Sequence, residues 1–235
     1  QYPFVFSTKG RLVASHEYLD LIGRCNAVSQ VSLVSPKYDK LEQGAPPFEE
    51  RFRMLEKLAK NTKRLIVRIS PYSTGLADEI CSRLRGYKDS GVFGVEIEGM
   101  KRTTKRPGMV KVGIDWCYPV DVLRRDYQQI KDEAKRVGLA FYCGENRLRS
   151  MSDETCCCGV VGVDGFVPNR ANLNRLVVGD EIKYSDAMRV DGSGSVFRLL
   201  AQNTIGISVI DKSTYEDMME LVKRSPVYLR AMGLM

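Results

Sequence analysis

The feature that most constrains this fold is an alternation of short apolar runs with longer amphipathic segments across the first 150 residues. Five of the runs predict β-strands, at residues 3–7, 31–34, 65–69, 92–97 and 139–142. These runs are apolar throughout rather than at every second position, which is typical of strands buried on both faces of a parallel sheet. The alternation therefore predicts an α/β fold with a parallel sheet.

The segments between the runs have helical periodicity, with apolar side chains about every three or four positions. They predict helices at residues 14–24, at 47–60, around 76–84 and at 120–137. Gly138 follows the longest of them, and glycine is a common C-cap. Polar residues gather where the strands end, and in parallel α/β folds this edge carries the active site. We therefore expect a partial (β/α) barrel of about five visible parallel strands over 1–150, followed by a cysteine-containing, irregular extension over 151–235.

Composition and motifs exclude several classes of protein. With 43% hydrophobic and 28% charged residues, the chain is typical of a globular protein rather than a disordered one. No apolar run approaches the ~20 residues that span a bilayer. The sequence has no dinucleotide-binding, P-loop or HExxH motif. The only histidine, His16, falls inside the first predicted helix, so a Ser-His-Asp or Cys-His mechanism is not expected.

Basic residues exceed acidic ones, 36 against 29, giving a formal charge of +7 that favours anionic partners. The densest excess is the loop at 101–107, whose cations predict contacts with nucleic acid phosphates; a solvated surface loop is the alternative. The residues in question are Lys101, Arg102, Lys105 and Arg106.

The seven cysteines are odd in number and three are adjacent, which suits reduced thiols in a cytoplasm better than a disulfide framework. Four of them lie close in sequence: Cys143, Cys156, Cys157 and Cys158. Thiolates that converge from a loop can hold a metal ion or an iron–sulfur cluster. Cys143, Cys157 and Cys158 are therefore candidate ligands of an auxiliary cluster or metal. The alternatives are a thiol that contacts substrate or handles a radical, and inert structural thiols.

Several motifs lie at the predicted strand ends. The first strand ends in Thr8-Lys9, the second carries Ser32, and the loop Leu-Glu-Gln-Gly-Ala-Pro-Pro at 41–47 leads to Arg51. The third strand ends in Arg-Ile-Ser-Pro at 68–71. Over about residues 3–150, this combination resembles the spore photoproduct lyase branch of the radical SAM enzymes.

The resemblance implies a partial (β/α)6 barrel that binds S-adenosylmethionine (SAM) at the C-terminal edge of its strands, with a [4Fe-4S] cluster that cleaves SAM to a radical. By position, Lys9 would contact the methionine carboxylate and Ser32 the amino or ribose groups. Thr8, Arg68 and Glu96 are the other candidate cofactor-binding residues. The implied activity is that of a lyase-like enzyme related to those that act on DNA lesions.

The sequence departs from this family in one important respect. It lacks the CxxxCxxC cluster motif, and it begins with Gln1 rather than Met. We therefore expect the motif to lie upstream in a longer natural chain, and the 235 residues alone not to cleave SAM. Two alternatives remain: a cluster-less barrel that binds nucleic acid or serves as a partner subunit, and an aldolase-type barrel with Lys9 as a Schiff-base lysine.

Overall fold

The computed structural model describes residues 3–154 and 156–166, with isolated helical positions at 216, 220, 223, 224 and 229. The chain divides into two compact units, Gln1–Phe166 and Val167–Met235. The spacing of Tyr215, Met218, Met219 and Val222 predicts a helix at 213–224, most of which lies outside the described residues. All of the candidate site residues belong to the first unit. None of the described helices is both long and apolar enough to cross a membrane.

Strands and helices alternate along the first unit. The strands of its main sheet are β1 (Phe4–Thr8), β2 (Ala27–Ser32), β3 (Arg64–Tyr72), β4 (Gly94–Gly99) and β8 (Ala140–Cys143). The helices are α1 (His16–Gly23), α2 (Phe48–Arg53), α3 (Leu55–Asn61), α4 (Ala77–Asp89) and α5 (Val120–Val137). Between β4 and α5, a small antiparallel sheet contains β5 (Lys101–Arg102), β6 (Val110–Val112) and β7 (Asp115–Cys117).

The main sheet is parallel throughout, in the order β1-β2-β3-β4-β8. The predicted α/β class and parallel sheet are thus confirmed. Within the described residues the sheet stays open, so closure into a barrel is not observed. Along the chain, each new strand lies beside the previous one at the same growing edge of the sheet. Because crossovers between parallel strands are right-handed, the connecting helices then all lie on one face of the sheet.

The main hydrophobic core lies between this face and the helices. Strand residues such as Val67 and Val95 are fully buried there beneath helix residues such as Leu58, Leu84 and Ile130. The predicted segment at 120–137 coincides with α5, and Gly138 caps it in the left-handed conformation at φ 79°. The segment predicted as one helix at 47–60 is divided into α2 and α3 at Met54.

The helix-free face of the sheet is apolar toward the N-terminal ends of the strands. Val28, Ile66 and Tyr142 are buried there beneath Val160 and Val163. These two valines belong to the segment at 156–166, which crosses the sheet after β8. The helix-free face is thus covered at one end by a short segment of the same unit.

Arg64, the first residue of β3, holds the crossing segment in place. Its Nη1 donates to the carbonyls of Gly159 and Val161, at 2.9 and 2.6 Å. Gly159 has a φ of 69°, and a Cβ there would lie 2.9 Å from Ile66 Cδ1. A side chain at position 159 would therefore strain the left-handed backbone and crowd the Ile66 side chain.

Candidate functional site

Toward the C-terminal ends of the strands, the helix-free face is polar. In the strand register, Ser32 pairs with Arg68 and Arg68 pairs with Glu96. Because neighbouring strands lie about 4.8 Å apart, these three side chains stand side by side across β2, β3 and β4. We call Ser32, Arg68 and Glu96 the polar row. The sequence predicted all three as cofactor-binding residues, and the structure brings them together.

Arg68 is the centre of the polar row. Its Nε donates to Glu96 Oε2 and its Nη2 to Glu98 Oε2, both at 3.0 Å. The Glu96 side chain is almost fully buried, whereas the Arg68 side chain is 34% exposed. A guanidinium has five N–H donors, so Nη1 of Arg68 remains for a ligand that approaches from the exposed side. Lys101 Nζ lies 2.7 Å from the other oxygen of Glu98, so two cations face two carboxylates here.

The environment of Glu96 favours its neutral form. Burial raises the pKa of Glu96 to about 7, against the lowering effect of Arg68, and the nearby Cys157 and Glu98 raise it further. Glu96 Oε1 lies directly against Gly144, where any Cβ would overlap the oxygen. A carboxyl group with a pKa near 7 can both donate and accept a proton at neutral pH. The polar row therefore contains a potential general acid or base.

A second charged group lies beside the ends of β1 and β2. Lys9 Nζ donates to Glu42 Oε1 at 2.6 Å, and Arg51 Nη2 lies 2.7 Å from the other oxygen of Glu42. Arg51 Nη1 also donates to the carbonyl of Ser32 at 2.8 Å. Lys9, Ser32 and the segment from Glu42 to Arg51, which carry part of the family resemblance, thus converge in space. Lys9, however, already has a carboxylate partner within the chain.

Thr8 lies apart from the polar row. It pairs in register with Val31, whose side chain is in the helix-side core, so Thr8 is on the opposite face of the sheet. Its Oγ1 accepts a hydrogen bond from the Gly10 amide at 2.9 Å. Thr8 instead borders an apolar cavity of about 530 Å³ beside β1, lined also by Phe6 and Leu21.

The candidate metal ligands do not converge. Among the described residues, no three His, Cys, Asp or Glu side chains are grouped so as to hold a metal ion. Cys143 lies in the helix-side core, where its thiol donates to the carbonyl of Glu145 at 3.7 Å. Cys157 and Cys158 belong to the segment that crosses the other face. The predicted site at Cys143, Cys157 and Cys158 is therefore absent from the described part of the chain. Side chains alternate between the two faces of a strand, and this alternation directs Cys143 to the helix side, away from the segment that carries the other two cysteines.

The four predicted phosphate contacts share one exposed region, on β5 and the loop that follows it. Lys101 is paired with Glu98 at 2.7 Å, so it is partly neutralised. Lys105 lies 5.6 Å from the ring centre of Trp116 on β7. Arg102 and Arg106 are also exposed. The small sheet therefore presents several cations next to an aromatic ring.

Sequence reasoning missed two polar residues close to this face. Gln30 is buried on β2 and accepts a hydrogen bond from Ser7 Oγ at 2.5 Å. Arg149 is buried in the turn after β8. The sequence offers little signal for Gln30, because Ser29 and Gln30 interrupt the apolar pattern of β2, which begins at Ala27 rather than at residue 31.

The search for related proteins gave no match: no protein-family model, curated protein or solved structure is similar to this chain. The function is therefore inferred from the geometry of the polar row and from the resemblance of the strand-end residues.

Proposed function

We propose that the chain is the SAM-binding part of a radical SAM-type enzyme related to DNA-lesion lyases, with SAM bound across the polar row. The observation that carries the proposal is the half-exposed cation of Arg68, which is flanked by carboxylates at the C-terminal edge of a parallel sheet. Ligands of parallel α/β folds bind at this edge. The resemblance of Thr8-Lys9, Ser32 and the 41–51 segment supplies the identity of the ligand.

The donor set of the polar row fits the methionine end of SAM. Arg68 offers a guanidinium to the carboxylate. Ser32 supplies a small hydroxyl that can bond to the ribose. When bound and reduced, SAM supplies a carbon radical for hydrogen abstraction. The described residues contain no set of thiolates that fits an iron–sulfur cluster, so we assign none of them to that group.

The sheet order supports a partial barrel as the finer description of the fold. Five parallel strands in sequential order with their helices on one face are what a segment of a (β/α) barrel contains. In such a segment the helix-free face is the inside of the barrel. The polar row would then line the interior, near the mouth at which barrel enzymes bind their substrates.

Replacing Arg68 with glutamine tests the binding site. We expect titration calorimetry to show SAM binding by the wild-type chain, and binding at least about tenfold weaker, or ~1.4 kcal/mol, for Arg68→Gln. The loss follows because glutamine keeps a hydrogen-bonding group but removes the cation that pairs with the carboxylate. Arg68→Lys should recover part of the affinity.

The matched control is Arg83→Gln, which removes a cation from α4 on the helix side, where Arg83 pairs with Glu79 at 2.7 Å. Its SAM affinity should equal that of the wild type. No heat of SAM binding by the wild-type chain would overturn the proposal, as would equal losses in both variants.

The exposed cations of the small sheet favour a second candidate function, the binding of nucleic acid without a cluster. The triple variant Arg102→Gln, Lys105→Gln and Arg106→Gln is expected to reduce the slope of log affinity against log salt for duplex DNA. The reduction should be about 0.9 for each phosphate that the variant no longer neutralises. Fluorescence anisotropy over a salt series measures this slope.

The control variant removes the same charge elsewhere, from Lys57, Lys60 and Lys63, which are exposed on and after α3. Its slope should stay at the wild-type value. Equal slopes for the wild type and the first triple variant would contradict a phosphate-binding role for this loop.

A further inference from the structure

Arg149 is a buried cation with no carboxylate partner among the described residues. The residue is only 9% exposed. Its Nη1 donates to the carbonyl of Cys143, and its Nη2 lies 3.4 Å from Asn146 Oδ1. Within residues 3–154 and 156–166, its Nε has no hydrogen-bond partner. Burying a guanidinium is costly unless an anion lies next to it.

The group next to Arg149 is the thiol of Cys157. The Cys157 sulfur lies next to the guanidinium, and the pKa of Cys157 is lowered by its contacts with the Cys158 thiol and with Arg149, against the opposing effect of burial. A thiolate at Cys157 would balance the charge of Arg149. Reactive cysteines are typically thiolates of this kind, partly accessible and close to a cation.

A second sulfur lies within reach of the first. Cys158 Sγ is 3.7 Å from Cys157 Sγ, and the Cys158 thiol also contacts Cys156. The pKa of Cys158 is raised, because its proton is shared with the neighbouring sulfurs and because it is partly buried. All three cysteines are intermediate in exposure. Two sulfurs therefore lie side by side next to a buried guanidinium, where a small molecule can reach them.

We propose that Cys157 is a hydroperoxide-reactive thiolate and Cys158 its resolving thiol, which together form a reversible oxidation site beside the polar row. The Cys157 sulfur attacks the terminal oxygen of the hydroperoxide. The O–O bond breaks, a sulfenic acid forms, and the released alkoxide or hydroxide takes a proton from solvent. Cys158 then attacks the oxidised sulfur, so that a disulfide forms and water leaves.

The disulfide joins adjacent residues, which makes it easy to reduce. Consecutive Cα atoms lie about 3.8 Å apart across a trans peptide, below the ~4.4–6.8 Å usual for a disulfide. The negative charge of a Cys157 thiolate balances Arg149 and raises the pKa of Glu96. Oxidation removes this charge, so it lowers the pKa of Glu96. The oxidation state of Cys157 is thereby coupled to the charge of the polar row.

The test is oxidation of the reduced full chain with one equivalent of hydrogen peroxide, followed by dimedone labelling and peptide mass spectrometry. In the wild type, the peptide that contains Cys157 and Cys158 should lose two hydrogens and take up no dimedone. In Cys158→Ser, Cys157 should keep its sulfenic acid and be labelled at least about tenfold faster than Cys25 or Cys81.

Two further variants separate chemistry from folding. Cys156→Ser should still form the disulfide, and a low concentration of dithiothreitol should reduce it in both proteins. Arg149→Met should slow the labelling of Cys157 while Arg149→Lys largely preserves it, with circular dichroism used to confirm that both are folded. Labelling of Cys157 no faster than that of Cys25, or a disulfide that requires Cys156, would overturn the proposal.

Discussion

Replacement of Arg51 with methionine is expected to lower the free energy of unfolding by about 3–5 kcal/mol, because it removes one partner of a buried ion pair. The Arg51 side chain is 1% exposed and connects α2 to Glu42 and to the carbonyl of Ser32. Methionine fills a similar volume but satisfies neither group. The variant therefore leaves one oxygen of Glu42 and the carbonyl of Ser32 without their donor, while Lys9 still pairs with the other oxygen of Glu42.

Urea unfolding followed by circular dichroism measures this effect. The control is Arg53→Met on the same helix, where the arginine is exposed. A surface substitution of this kind should change the free energy of unfolding by no more than about 0.5 kcal/mol. If the two variants were equally stable, the charged group at Lys9, Glu42 and Arg51 would not hold the strand ends together.

Replacement of Glu96 with glutamine is expected to remove a pH dependence of stability. Since burial raises the pKa of Glu96 to about 7, the folded protein binds this proton more tightly than the unfolded chain does. The resulting stabilisation is fully present below the ordinary carboxyl pKa of about 4.3 and is lost as the pH rises through 7. Its size is on the order of 3–4 kcal/mol. Glutamine stays neutral, so the variant should be the more stable protein at pH 8.

The measurement is the free energy of unfolding from pH 4.5 to pH 8 for wild type and variant, with Glu49→Gln, an exposed carboxylate on α2, as the control. The control should follow the wild-type profile. A Glu96→Gln profile parallel to that of the wild type would show that Glu96 is an ordinary ionised carboxylate.

Much of the fold can be predicted from the sequence because it depends on local patterns. The apolar period and the capping glycine determine α5 and its end at Gly138. The second strand is harder to locate, since Ser29 and Gln30 interrupt its apolar pattern. Both are buried, and their hydrogen bonds are to Thr62 and Ser7, which are distant in sequence. A polar residue inside a strand can be recognised only once its partners are known.

The site is less predictable because its geometry depends on register and on long-range pairing. The sequence placed Thr8 with Lys9, but successive residues of a strand face opposite sides, and the register puts Thr8 on the helix side. The same alternation directs the Cys143 side chain to the helix side, whereas Cys157 lies in the segment that crosses the opposite face. The pairing of Lys9 with Glu42 joins a strand end to a loop, and nothing local in either segment specifies it.

The central claim is that the helix-free face at the strand ends is the ligand-binding face. Amide hydrogen–deuterium exchange of the chain with and without SAM tests it most directly. We predict slower exchange, with SAM present, in the peptides that contain Ser32, Arg68 and Glu96, and no change in α4. Unchanged exchange in these three peptides, or protection confined to the small sheet at 101–117, would contradict the account.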